Sequence, residues 1–310
     1  MGWYMAKRGL YAIPMMIVIS FLTFILIHLS PMDPAEVVLE AQGVPQITPE
    51  LIAQTKAELG MDRPFLIRYA NWLIDCLQLD FGHSYVSGEP VWTLLGPAFL
   101  NTLQLTFASV IAVIALSVGL GVICALREGR LLDRSVRGVS FFLTSMPSYL
   151  LASLMIWYFA VKLDLLPTSG MASSASYVLP VVVIAVNYAG IYFRMIRSSM
   201  ISQLHEDYVL YGRASGLSET TITMHMIRNS LQIAISVFCM AVPIILGSTV
   251  VVENVFAWPG LGSLSMHAIL SRDFPVIQAY VLVMAVAFVL FNTVSDMVNA
   301  AMNPKLRGDL

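Results

Sequence analysis

Charge is scarce in this chain. Charged residues make up 12% of its 310 positions, about half the share found in ordinary soluble domains. Hydrophobic residues make up 58%. That balance excludes a water-soluble globule and predicts a polytopic membrane protein. The formal net charge is only −2 and there is no basic tail, so no electrostatic footprint for nucleic acid exists. Cysteine is nearly absent too. Cys76, Cys124 and Cys239 are scattered and form no CxxC pair, which implies neither a disulfide framework nor a zinc site. They are read as apolar filler.

Enzyme signatures are missing as well. No GxxxxGKS or GxxxxGKT loop occurs, so the chain lacks the usual cradle for nucleotide phosphates. His205-Glu206 begins like HExxH, but Val209 stands where the second histidine is needed. A membrane-embedded protease would need that pattern, or Ser with His, inside spans. Gly119-Leu120-Gly121 is a lone GxG within an apolar run, where close helix packing explains it.

What is present is a series of apolar runs. Residues 9–29, 100–126, 139–161, 178–195, 231–252 and 276–302 are each long enough, or nearly so, to cross about 30 Å of hydrocarbon as helices. The first follows Lys7 and Arg8, as a signal peptide would. No small-x-small cleavage site follows it, however, and Ser30-Pro31-Met32-Asp33-Pro34 breaks the chain instead, which favours a retained span. Pro147 lies inside the third run and predicts a kink. An all-α protein of six spans is expected. It divides into an N-terminal span (1–30), an outer segment (31–98), a five-helix core (99–303) and a tail (304–310). Within 31–98, Thr48 is a plausible N-cap for a helix starting at Pro49.

Lysine and arginine orient the chain, because they stay on the cytoplasmic side. Lys7, Arg8, Arg127, Arg130, Arg134, Arg137, Arg194, Arg197, Arg213, Arg228, Lys305 and Arg307 fall on one face. Lys56, Arg63, Arg68, Lys162 and Arg272 fall on the other. Both termini and the 204–229 loop are therefore expected in the cytoplasm, with 31–98 outside.

That 204–229 loop, LHEDYVLYGRASGLSETTITMHMIRN, is one of the few polar stretches. Its pattern predicts two short helices and a turn. Leu204, Tyr208 and Tyr211 are spaced to form one apolar face, with Glu206, Asp207 and Arg213 pointing elsewhere. Gly216 suits a left-handed stop, Leu217 follows it, and Ser218 with Glu219 suits the start of the next helix. A loop built this way is structured and docks on something, or is simply a solvated connector.

Glu206-Asp207-Tyr208-Val209 followed by Arg213-Ala214-Ser215-Gly216-Leu217 resembles the cytoplasmic EAA-type loop of ABC importer permeases. Gly216 and Ala214 match its glycine and small residue, while the Glu-Ala-Ala start is absent. Other stretches resemble the peptide/nickel branch of that family: Glu58-Leu59-Gly60-Met61-Asp62-Arg63-Pro64, Leu79-Asp80-Phe81-Gly82-His83-Ser84, Ser145-Met146-Pro147-Ser148-Tyr149, and above all Glu253-Asn254-Val255-Phe256-Ala257-Trp258-Pro259-Gly260-Leu261-Gly262. Asn303-Pro304-Lys305-Leu306-Arg307 is similar to the family's end. Ala257-Trp258-Pro259, and Thr48-Pro49-Glu50-Leu51-Ile52-Ala53 with Asp207-Tyr208-Val209-Leu210-Tyr211, look most like permeases for nickel and for metal-loaded opine metallophores.

The resemblance implies a type I importer permease in a bacterial inner membrane, with no cofactor of its own. ATP and Mg would sit on two partner ATPase subunits. A homologous second permease and a periplasmic or lipid-anchored binding protein would complete the importer. Nickel, free, chelated or in a metallophore, is the expected cargo; a di- or oligopeptide is the alternative, and a stand-alone secondary transporter or channel is the alternative of another class. Glu206, Asp207, Tyr208, Arg213, Ala214, Gly216 and Leu217 would couple the chain to the ATPase.

Four polar residues are candidates for the translocation pathway. Asp296 deep in the sixth span could attract cations or hydrogen-bond with Asn292 or Asn299. Glu253 could line the outer mouth or cap the loop after it. Asn187 and Tyr188 could line a polar path or bond between helices. His28, His83, His205, His225 and His267 are spread over different elements, and the eighteen Met residues suit bundle packing as well as soft metals. No metal site is assigned.

Overall fold

The computed structural model describes residues 2–29 and 33–302; the 304–310 tail and the Asn303-to-Arg307 motif lie outside them. The described chain is helical, and its elements are α1 (Gly2–His28), α2 (Pro34–Ala41), α3 (Pro49–Glu58), α4 (Phe65–Leu77), α5 (Val91–Leu126), α6 (Leu131–Ser145), α7 (Ser148–Met155), α8 (Val178–Leu204), α9 (Asp207–Ala214), α10 (Glu219–Val255), α11 (Leu261–Leu270) and α12 (Phe274–Met302). A wide-turn helical segment, Ile156–Lys162, continues α7, and a tight turn, Ser174–Tyr177, leads into α8.

Among the described residues four helices are long and apolar enough to cross a membrane: Val91–Leu126, Ser174–Leu204, Val237–Val255 and Phe274–Asn299. The pair Leu131–Ser145 and Ser148–Lys162 adds a fifth if it is one span, bent by 105° at its break. The 27 residues of α1 make a rod of about 40 Å, with Leu10–Ile25 as its apolar stretch. Six spans are compatible with these helices.

The expected kink at Pro147 is in fact a break. Met146 is extended (φ −78°, ψ 134°) and Pro147 likewise (φ −58°, ψ 137°). A residue before proline is pushed out of the helical region by the ring, and here two successive extended residues turn the chain instead of bending it.

Two compact units emerge. One comprises the chain up to Asn101 together with Pro259–Leu290. In it α1 packs on α4 through aromatic edges. Phe21 meets Tyr69 at 5.1 Å and Phe24 meets Phe65 at 5.3 Å between ring centroids. The Ser20 hydroxyl bonds the Tyr69 hydroxyl at 2.8 Å. Thr48 caps α3 as expected, accepting from the Leu51 amide at 3.4 Å. A second cluster gathers Cys76, Phe81, Val91, Leu95, Leu261 and Val276. Burial among these and the nearby Asp75 and Asp80 push the Cys76 thiol up to about 12, so it is an inert core thiol.

The other unit comprises Thr102–Trp258 and the chain from Phe291. Its centre is α8, which touches α6, α7 and α10; the apolar window of this span is 56% buried, the largest share of the four. Glycines permit the closest approaches. A Cβ on Gly121 of α5 would lie 2.9 Å from Ile196 Cβ and 3.2 Å from the Phe193 carbonyl oxygen. One on Gly190 of α8 would lie 2.7 Å from Ser140 Oγ on α6. This is the small-residue packing that substitutes for hydrophobic drive within a bilayer, and it accounts for half of the GxG pair, since nothing approaches Gly119 within 4 Å.

Candidate functional site

The polar loop between α8 and α10 is an elbow. Helix α9 ends in a closed left-handed turn: Gly216 has φ +78°, the Gly216 amide donates to Arg213 O (3.1 Å) and the Leu217 amide donates to Gly212 O (3.0 Å). This double closure satisfies carbonyls that a helix end leaves open. Ser218 then caps α10, its hydroxyl accepting from the Thr221 amide at 3.2 Å. Arg213 and Glu219 brace the two arms with a forked pair, at 2.9 and 3.2 Å. The guanidinium holds the Glu219 carboxyl below its ordinary value.

Two details differ from the sequence reading. The second arm is no short helix, because α10 runs unbroken for 37 residues. Nor does Tyr211 join the face that Leu204 and Tyr208 present to the core. Tyr211 is 75% exposed, whereas Val209 and Gly212 are buried and Tyr208 is half-buried. Gly212 allows α9 to lie against α10: a Cβ there would already be 3.4 Å from Ile222 and 3.5 Å from Leu217. The turn rotates the buried stripe by one residue, and the larger aromatic is left outside. Leu210, Tyr211 and Leu217 are exposed, as are Glu206, Asp207 and Ala214.

The elbow hangs from α8, and α8 is anchored by a pair that sequence reasoning missed. Asp133 of α6, in a stretch rich in arginine, is fully buried. Its carboxylate accepts a forked pair of hydrogen bonds from Arg197 of α8, at 2.7 and 2.8 Å. It also accepts from the Gly129 amide at 3.0 Å and lies 3.4 Å from Arg137. Nothing in the spacing of these residues marks the pairing, since 64 positions separate the partners.

The pathway candidates are distributed as follows. Glu253 is fully buried, and Thr102 Oγ1 donates to its Oε1 at 2.7 Å. Its backbone carbonyl accepts from the Trp258 amide at 2.8 Å and so closes the end of α10. The turn after α10 is left-handed at Ala257 (φ +45°), a conformation that costs about 1–2 kcal/mol for a residue with a Cβ. Complete burial of Trp258 against Tyr177, with centroids 4.5 Å apart, offsets that cost. Asn187 and Tyr188 are half-buried neighbours on α8, with Tyr188 against the core. Asp296 is half-buried on α12, next to Ser295, whose hydroxyl donates to the Cys239 carbonyl of α10 at 2.5 Å. Among the described residues no three His, Cys, Asp or Glu side chains gather as metal ligands.

An all-helical bundle with a rigid polar elbow has recognisable relatives. Two family models match: "Binding-protein-dependent transport system inner membrane component" over residues 117–308, and the N-terminal membrane component of the same systems over residues 1–106. The chain is 54% identical over 304 residues, 98% of each chain, to the metal-staphylopine import system permease protein CntB of Staphylococcus aureus. It is 36% identical over 310 residues, again 98% of each, to the glutathione transport system permease protein GsiC of Salmonella typhimurium. In fold it is similar to the MetNI methionine ABC transporter in inward-facing conformations, with TM-score 0.59 and 20% identity over 69% of this chain and 99% of that one. Matched along nearly its whole length, and built of helices suited to crossing a bilayer, this multi-pass chain is a transport component without catalytic function of its own and belongs to the family of inner-membrane components of binding-protein-dependent ABC importers.

Proposed function

We propose that the chain is one permease subunit of an importer for metal carried by an opine-type metallophore, with nickel as the foremost cargo. The observation that supports this most is the 54% identity, over 98% of both chains, to a permease named for metal-staphylopine import. The peptide alternative has its own support in the 36% identity to glutathione permeases. In this reading a homologous permease stands beside the chain and two ATPase subunits, carrying ATP and Mg, lie beneath. A periplasmic or lipid-anchored binding protein delivers cargo. The elbow docks on one ATPase through Leu210, Tyr211 and Leu217, flanked by Glu206, Asp207 and Tyr208, and the Gly216 turn with Ala214 and Arg213 keeps it stiff. Asn187, Tyr188 and Asp296 belong to the polar path, and Glu253 holds its outer end closed by bonding Thr102.

Deleting the gene should abolish staphylopine-dependent uptake of labelled nickel and leave glutathione uptake unchanged; loss of glutathione uptake alone would assign the chain to peptides. Sidedness follows from the Lys and Arg asymmetry. A tag within residues 40–50 should be labelled from the periplasm and one after Leu310 only from the cytoplasm. Labelling of both from one side would defeat the six-span arrangement.

A further inference from the structure

The unit containing α1 to α4 has an open-sided cavity of about 660 Å³, bordered by α4, the 80–88 loop and the start of α12. This is within the usual range for small-molecule sites. Along α4, Arg68, Asn71, Trp72 and Asp75 all line it, the i, i+3, i+4, i+7 pattern of one helix face. Its polar groups are poised but under-used. The Trp72 indole N–H is buried and has no acceptor among the described residues. Arg68 is half-buried. It has a long hydrogen bond of 3.5 Å to the Met61 carbonyl and the Phe24 ring at 5.9 Å, and no carboxylate within ion-pair reach among the described residues. Asp75 lies two helical turns away, about 10 Å along the axis, too far to neutralise it.

The opposite wall is preorganised. Buried Asp273 accepts from the Ser84 hydroxyl and from the Tyr85 amide, the latter at 3.0 Å. Ser84 Oγ in turn accepts from the Val86 and Ser87 amides at 3.2 and 3.0 Å. Tyr85 is thereby fixed at the cavity wall. Burial pushes its phenol up to about 12, so it is a donor at every physiological pH. A guanidinium on the cavity wall with no carboxylate in reach favours an arriving anion. The cavity is too large for a bare anion, and besides Arg68 and Arg63 it is lined by the carboxylates Asp75 and Asp80.

We propose that this cavity binds a small amphoteric aminocarboxylate, its carboxylate held by Arg68 and the Tyr85 hydroxyl, and its amine facing Asp75. Opines and short peptides both have this chemistry. Only the biological identity of the ligand rests on the metallophore reading above; the site itself does not.

The test uses the assembled importer in phosphatidylcholine nanodiscs, without binding protein or nucleotide, and metal-free octopine as the probe in equilibrium dialysis. Saturable binding at one site per permease is expected. Arg68→Ala and Asp75→Asn should each weaken it about tenfold, the usual effect of losing one charge-assisted contact, and Arg68→Lys should restore part. Tyr85→Phe, which removes only a hydroxyl, should weaken it by about threefold and serves if Arg68→Ala fails to assemble. Excess inorganic phosphate, or nanodiscs containing phosphatidylglycerol, should not displace octopine. Absence of saturable binding, equal binding by assembled Arg68→Ala or by Tyr85→Phe, or displacement by phosphate or anionic lipid would overturn the proposal. Nickel–staphylopine uptake that depends on this chain without octopine binding would sink the cavity alone. Octopine binding without such uptake would sink the metallophore reading alone.

Discussion

Gly216→Val will leave the chain in the membrane in normal amounts and uncouple it from its ATPase. Gly216 has a left-handed backbone (φ +78°) and open space where a Cβ would go. The penalty is therefore one of conformation, not collision, about 1–2 kcal/mol. That is small against what holds a packed helix bundle in a bilayer. It acts, however, on the turn that fixes the angle between α9 and α10, through the Leu217 amide bonded to the Gly212 carbonyl at 3.0 Å. Relief of the strain opens that closure and tilts the outer surface bearing Leu210 and Tyr211. A shift of this size corresponds to a roughly fivefold to thirtyfold change in the population of the docking-competent elbow.

Arg213→Glu should act in the same direction by removing the fork to Glu219 and setting two carboxylates against each other. The pair is exposed, so its contribution to stability is slight, and abundance should hold. The readouts are co-purification of the ATPase and substrate-stimulated ATP hydrolysis in liposomes. If both variants assemble normally and both show normal stimulated hydrolysis, the elbow is not the coupling element.

Asp133→Asn should have the larger effect on the protein itself. Asparagine keeps the shape but removes the charge opposite Arg197, whose side chain is only 16% exposed. Removing one partner of a buried pair costs about 3 kcal/mol or more, on the order of a hundredfold in the folded ratio. Arg137 at 3.4 Å from Asp133 and Glu128 at 3.9 Å from Arg197 soften the loss without replacing the forked geometry. Abundance in the membrane and the melting temperature of the solubilised importer should both fall. Arg197→Met should do the same by stranding Asp133. Replacing both at once, Asp133→Leu with Arg197→Met, should recover much of the loss, because two apolar side chains leave no unpaired charge. A double-mutant cycle measures this non-additivity directly. Wild-type abundance and melting in either single variant would show that α8 is not anchored there.

Some of this architecture was legible from the residues alone, for local reasons. Apolar runs report spans because a bilayer core of about 30 Å demands that much helix. Thr48 and Ser218 report helix starts because their hydroxyls bond backbone amides three residues on, and Gly216 reports a left-handed stop because it has no Cβ to strain there. The break at Pro147 was also local, although its size was not: a proline restricts its predecessor, but a turn of 105° is set by what the two helices pack against.

Only the tertiary structure decided which side chains meet across helices. Asp133 with Arg197, Glu253 with Thr102 and Ser84 with Asp273 are separated by 64, 151 and 189 positions. Each pairing depends on how a helix is rotated about its axis and how far it slides along its neighbour. Periodicity within one segment specifies a buried face and not its partner. The same holds for α9, where spacing pointed to Tyr211 but contact with α10 required the bare Gly212 on the inner side. It holds most for the cavity beside α4. The stripe from Arg68 to Asp75 was present in the sequence, but its unanswered donors became visible only when the 84–88 loop, tied down by Asp273, closed the space around them.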